Sequence, residues 1–241
     1  MGIQQVIHEA IPQHPQKYAI IRTLNEAKFK TSIGQHLDAV SKTIEHSTWG
    51  RYEQIAKFKT SIGQHLDAVS KTIEHSTWGR YEQIVEHKTS HYSFYCPIRI
   101  GFLLADELDH SLECQKLAYK IGSLFQAQDD YLDIFGQPEI TGKIGQDIAN
   151  GKCTWFSCRT LEKISKDLPK LKLFVECFGQ PDERQIDQIK KIMEEASIED
   201  DFHQWSNKTV QELHAEIDHF GKKGIRQVFH SLVEALTGRR A

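Results

Sequence analysis

Three observations predict an all-α protein. Apolar letters recur at three- and four-residue steps in runs such as LECQKLAYKIGSLFQAQDDYLDIF and QIDQIKKIMEEA. No segment sustains two-residue alternation between hairpin turns. No Ser/Gly/Pro-rich linker divides the 241 residues, so 1–241 reads as a single helical bundle.

Breaks set the helices in order. Pro12 and Pro15 end the first, and His46-Ser47-Thr48-Trp49-Gly50, with its copy at 75–79, marks two further loops. Others fall at 106–110, at 136–145, at Pro169, at 179–181 and at 221–224, which delimits roughly eight helices. The segment AKFKTSIGQHLDAVSKTIEHSTWGRYEQI at 27–55 returns without a substitution at 56–84. A solenoid drifts in its surface letters and needs about three copies. Two identical copies therefore read as a copying event, each supplying a helix, a Ser-Thr loop that can cap the next helix, and that helix's first turn.

Composition narrows the function classes. With 39% hydrophobic and 26% charged residues the chain can bury a substantial core. Its net charge is −3 and its 30 basic and 33 acidic residues are interspersed, so neither nucleic acid nor an anionic membrane is an expected partner. The cysteines, Cys96, Cys114, Cys153, Cys158 and Cys177, are odd in number and lack metal-ligand spacing, which predicts free thiols and a cytoplasmic location. The N-terminus MGIQQVIHEAIPQHPQKY lacks an apolar signal core, and no stretch approaches the length of a membrane span, so the chain reads as soluble and unanchored.

Chemistry concentrates in FQAQDDYLDIFGQPEITGKIGQDIANGKC. On a helix, Gln126, Asp129, Asp130 and Asp133 share one face. An isolated DDxxD is as readily a solvated surface, but here Leu124, Phe125, Tyr131, Leu132, Ile134 and Phe135 flank it. Carboxylates crowded among apolar neighbours repel one another and lose hydration, which is tolerable if they meet cations. Hard oxygen ligands suit Mg²⁺, which commonly bridges carboxylates to phosphates. Lys143 and Lys152, with Asp147 between them, fit a diphosphate neutralised from its other side.

Two more polar stripes run through apolar helices. Lys88, Tyr92 and Tyr95 follow four-and-seven spacing with Thr89 and Ser93 beside them, and Pro97 kinks or ends that helix. Thr31, Gln35 and Asp38 obey the same rule, as do Thr60, Gln64 and Asp67 in the second copy. Singly, each stripe also fits a set of satisfied, partly buried hydrogen bonds. Together they point to a shared central cavity.

These motifs, in this order, resemble farnesyl diphosphate synthases within the short-chain isoprenyl diphosphate synthase family. The likeness runs from about Val6 to Arg239-Arg240, with 199–217 similar to the family's penultimate helix. It implies an isoprenoid-synthase-type bundle around a central cavity, dimerisation, Mg²⁺, and condensation of an allylic diphosphate with isopentenyl diphosphate. By the same resemblance Asp129, Asp130 and Asp133 form the second aspartate-rich motif and hold the metal. Lys88 and Lys143 contact the diphosphate, Thr89 and Gln126 line the reactive region, and Asp147 and Lys152 support them. Thr60, Gln64 and Asp67 contribute from the repeat, because the second copy leads into the Lys88 helix with the family's spacing. The family's first aspartate-rich motif has no counterpart in these residues, so impaired activity is expected. The alternatives are a non-catalytic dimer partner of a complete synthase, a non-functional truncated isoform, and a terpene synthase.

Overall fold

A computed structural model describes residues 3–25, 73–105, 111–136 and 145–238. Every regular element among these residues is helical, which agrees with the sequence periodicity. None of their helices is long and apolar enough to cross a membrane. The described helices outnumber the eight that the sequence breaks imply, because some boundaries carry no breaker. One such boundary is at Val85–Glu86.

One compact unit takes its described residues from Met1–His65 and Ile84–Gly122. The Ile3–Ala10 helix stops short of Pro12, as expected, and helix resumes over 17–25. Within the turn between them, His14 Nε2 donates to the Leu104 carbonyl at 2.7 Å, which ties the turn to the end of the Cys96–Leu104 helix.

The same unit holds a departure from expectation at Glu86–Tyr95, which forms a π-helix instead of an α-helix. Its Cys96 N–H bonds the His91 carbonyl five residues back. With roughly 4.4 residues per turn, residues seven apart no longer share a face. Tyr92 is accordingly 43% exposed while Tyr95 is 6% exposed, so the predicted Lys88-Tyr92-Tyr95 stripe is split. Thr89 and Ser90 are buried beside it. Pro97 occupies the first turn of the helix that follows, where its missing N–H costs nothing.

The Ser111–Phe135 helix approaches this π-turn very closely. Ser90 Oγ donates to the Tyr119 carbonyl at 3.2 Å, and a Cβ added at Gly122 would lie 2.6 Å from the Ser90 Cα. Backbone cannot yield as a flexible side chain can. Gly122→Ala is therefore expected to cost about 1–3 kcal/mol of stability, measured as a shift in the urea midpoint.

The second unit takes its described residues from Leu66–Gln83 and Ser123–Ala241. In it, successive helices pack as neighbours from Trp155–Ile164 through Leu168–Cys177, Glu183–Glu195 and Ile198–Asp218 to Lys223–Thr237. The starts are read from the sequence: Asp167 and Asp182 accept from backbone N–H groups of their following first turns, and Pro169 sits in the first turn it opens. Ile186, Ile189, Ile192 and Met193, spaced by three and four, form the buried stripe of their helix. Phe156, Phe174, Leu213, Ile217 and Phe229 are buried with them.

An ionic lattice crosses this unit's surface. Asp201 accepts from Arg159 Nε at 2.7 Å and from Lys163 Nζ at 3.0 Å. Burial pushes the Asp201 carboxyl up, but Lys163 and Arg159 together outweigh it and hold its pKa below the ordinary value. A depressed carboxylate stabilises the fold above its unfolded pKa and loses that contribution as pH falls through the folded one. Acid titration of the wild type is thus expected to show a loss of stability below about pH 4 that Asp201→Asn largely removes, read from the pH dependence of thermal melting.

Candidate active site

The aspartate-rich segment lies on the last turns of the Ser111–Phe135 helix, and its three carboxylates have different surroundings. Asp130 is 3% exposed and Asp133 4%, whereas Asp129 is only half-buried. The four- and three-residue steps do put them on neighbouring turns, but the fold uses two of them internally.

Asp130 sits against the start of the Trp155–Ile164 helix. One of its oxygens accepts from the Trp155 N–H at 3.0 Å and the other from Gln126 Nε2 at 3.0 Å. Trp155 is the first residue of its helix, so its N–H has no partner within the helix. A buried anion at that end also meets the positive pole of the helix dipole. The N-terminus is completed by a reciprocal box: Thr154 Oγ1 accepts from the Ser157 N–H at 3.1 Å and Ser157 Oγ from the Thr154 N–H at 2.9 Å.

Asp133 does similar work one turn later. Its Oδ2 accepts from the Asp147 N–H at 2.8 Å, and its carbonyl accepts from the Gly145 N–H at 2.9 Å. Both contacts depend on a left-handed backbone at Gly145, φ 60°, which a side chain rarely adopts. Asp147 in turn pairs with Lys152 Nζ at 3.0 Å. The structure thus brings together Gln126 with Asp130, and Asp133 with Asp147 and Lys152. Lys88, half-buried, and Thr89, buried, belong to the other unit. Thr60, Gln64, Asp67 and Lys143 lie outside the described residues, as does the whole first copy at 27–55.

Tyr81, from the second copy, adds a neutral wall. It is buried, and its hydroxyl approaches Asp130 without making a hydrogen bond of ordinary geometry. Burial first, and then the charge of Asp130, raise its pKa well above the phenol's usual value. Tyr131 is also held protonated: burial and its 2.8 Å bond to Glu199 push it up to about 12. Of these neighbours, sequence reading missed Tyr81, Gly145 and Trp155. Only Gly145 carried a signal, as part of a loop whose glycine permits positive φ.

Among the described residues no three His, Cys, Asp or Glu side chains converge to cage a metal ion. Mg²⁺ asks for less, since it keeps several waters and takes one or two carboxylates together with substrate phosphates. The donor chemistry therefore fits Mg²⁺, toward which Asp129 would offer a carboxylate oxygen. Asp130 and Asp133, already accepting from backbone, hold Asp129's turn in place.

Sequence comparison agrees with this arrangement. The family profile for polyprenyl synthetase matches residues 58–196, more than half of the chain. A farnesyl pyrophosphate synthase of Zea mays is 27% identical over 239 residues, which is 99% of this chain and 61% of the relative. Farnesyl pyrophosphate synthase 2 of Parthenium argentatum is 29% identical over 239 residues, 99% of this chain and 62% of the relative. Farnesyl pyrophosphate synthase 1, mitochondrial, of Arabidopsis thaliana is 33% identical over 152 residues, 63% of this chain and 39% of the relative. The chain thus spans between 39% and 62% of the length of these relatives. With its helical architecture, its aspartate-rich segment and the matched residues in register, the chain belongs to the polyprenyl synthetase family, a family of prenyltransferases.

Proposed function

We propose that the chain binds an allylic diphosphate with Mg²⁺ and takes part in its condensation with isopentenyl diphosphate. Asp129 carries this reading: it is the half-buried carboxylate of a motif whose other two aspartates are anchored to backbone. The relatives' names, all farnesyl pyrophosphate synthases, support the substrate class. In this reading 1–241 acts as one partial synthase domain, cytoplasmic, pairing with a second copy or with a complete synthase.

Each residue then has a task. Asp129 offers a carboxylate oxygen toward the metal, and Asp130 and Asp133 fix its helix turn through the Trp155 and Asp147 amides. Lys88 and Lys143 neutralise the diphosphate, while Lys152 holds Asp147 in its ion pair. By the resemblance, Thr89 and Gln126 would line the reactive region, and Thr60, Gln64 and Asp67 would contribute to substrate binding. Bound Mg²⁺ supplies Lewis-acid stabilisation of the departing diphosphate. The allylic carbon–oxygen bond breaks with its electron pair leaving on the diphosphate. The isopentenyl double bond then attacks the allylic carbon, and a proton is lost to form the new double bond.

These 241 residues carry one aspartate-rich motif where the resemblance implies two. Turnover is accordingly expected to fall several orders of magnitude short of a synthase with both, since a lost metal ligand removes several kcal/mol of transition-state stabilisation. Calorimetric titration with geranyl diphosphate, with and without Mg²⁺, tests the binding step independently of turnover. Metal-dependent binding supports the proposal. Its absence in folded protein overturns it.

A further inference from the structure

The second unit contains a cavity of about 590 Å³ whose lining includes neither Asp129, Asp130 nor Asp133. Its size suits a small molecule. Trp78, Trp155 and Trp205 form part of the wall, with Tyr81 beside them. Trp78 and Trp155 meet at 75° with centroids 5.9 Å apart, and Trp155 and Trp205 at 44° and 5.5 Å. Trp155 is itself 3% exposed and backs Trp78 and Trp205, whose half-buried rings border the space.

Of the three carboxylates on the wall, Asp201 is paired with Arg159 and, from outside the lining, with Lys163, and Glu162 with Arg159, which leaves Glu82; Lys208 is the wall's other cation. Arg159 is consumed by the wall itself, donating to Asp201 and to Glu162 at 2.7 Å each. Lys208 is largely exposed, 3.9 Å from Glu212 on its own helix. Glu82 has no hydrogen-bond or ion-pair partner among the described residues. Trp78 Nε1 donates to Glu162 at 3.3 Å, which fixes the orientation of the indole.

Indole faces attract cations electrostatically, and tryptophan does so best among the aromatic residues. A wall of tryptophans with one uncompensated carboxylate selects for positive charge spread over an apolar surface. An anion would meet Glu82 and an Arg159 already neutralised. We propose that this cavity, which adjoins the aspartate-rich segment through Tyr81 and Trp155 but is not lined by its carboxylates, is a binding site for a small organic cation of the quaternary ammonium class.

Choline and its uncharged carbon isostere, 3,3-dimethyl-1-butanol, probe it. The full chain is titrated with each at constant ionic strength while tryptophan fluorescence is followed. Choline is expected to quench saturably and to bind at least about tenfold more tightly than the isostere, the sum of two or three weak cation–π contacts and one carboxylate. Glu82→Gln, an exposed position whose replacement leaves the fold unstrained, is expected to weaken choline about threefold. Trp78→Leu, checked for folding by circular dichroism, is expected to abolish binding. Equal binding of the isostere overturns the proposal by making the cavity merely apolar. Absence of choline quenching in folded wild type, or choline binding that survives Trp78→Leu unchanged, overturns it too.

Discussion

Asp129→Ala is expected to abolish Mg²⁺-dependent binding of geranyl diphosphate, by about 100-fold or more in affinity, in a chain that remains folded. Asp130→Ala is expected to do something different. It removes the acceptor for both the Trp155 N–H and Gln126 Nε2 in a site 3% exposed. The buried Trp155 N–H left without a partner, with a smaller loss at the half-buried Gln126 amide, costs about 2 kcal/mol, which for a chain of this size lowers the melting temperature by roughly 4–8 °C. Calorimetric binding and thermal melting of the two variants, side by side, separate the roles. Binding retained in Asp129→Ala would remove that residue from the site, and an unmoved melting point in Asp130→Ala would remove the anchor.

Phe156→Ala is expected to have the largest effect on stability. The ring is fully buried and touches rings on three helices, with centroid distances of 5.3 Å to Phe202, 5.5 Å to Phe135 and 5.1 Å to Trp155. Phe202 is in turn stacked on Tyr131 at 4.9 Å and 12°. Removing a buried phenyl group forfeits its transfer energy and leaves a cavity the neighbours fill only in part, for about 3–5 kcal/mol. Phe156 also follows Trp155 directly, so the hole opens beneath the helix end that holds Asp130. Urea unfolding measures the loss, and a cost under about 1 kcal/mol would show that the cluster repacks.

The helical class and most helix starts were legible because apolar periodicity and capping letters act locally. The Ser-Thr loop, whose Thr77 Oγ1 accepts from the Arg80 N–H, and the Ile186-Ile189-Ile192-Met193 stripe are examples, each doing what the sequence predicts. The aspartate face was legible as a face. Its division of labour was not, because the partner that engages Asp130 is a backbone N–H, and every residue but proline has one. The π-helix at Glu86–Tyr95 was equally hidden. Over ten residues an apolar pattern with a period of roughly 4.4 differs too little from one of 3.6 to be told apart by letters, yet the difference sends Tyr95 inward. Tyr81 was overlooked for another reason: it stands in a repeated segment, and the Asp130 it approaches lies far along the chain.

The anchoring of Asp130 and Asp133 bears on how aspartate-rich signatures are used to judge other chains. Two of the three acids join the helix to the segments that follow it, so selection for a folded protein alone would preserve them in a copy that had lost its chemistry. A degenerating paralogue would thus keep a persuasive DDxxD long after it stopped turning over substrate. In such a lineage the anchored aspartates alone are weak evidence of turnover.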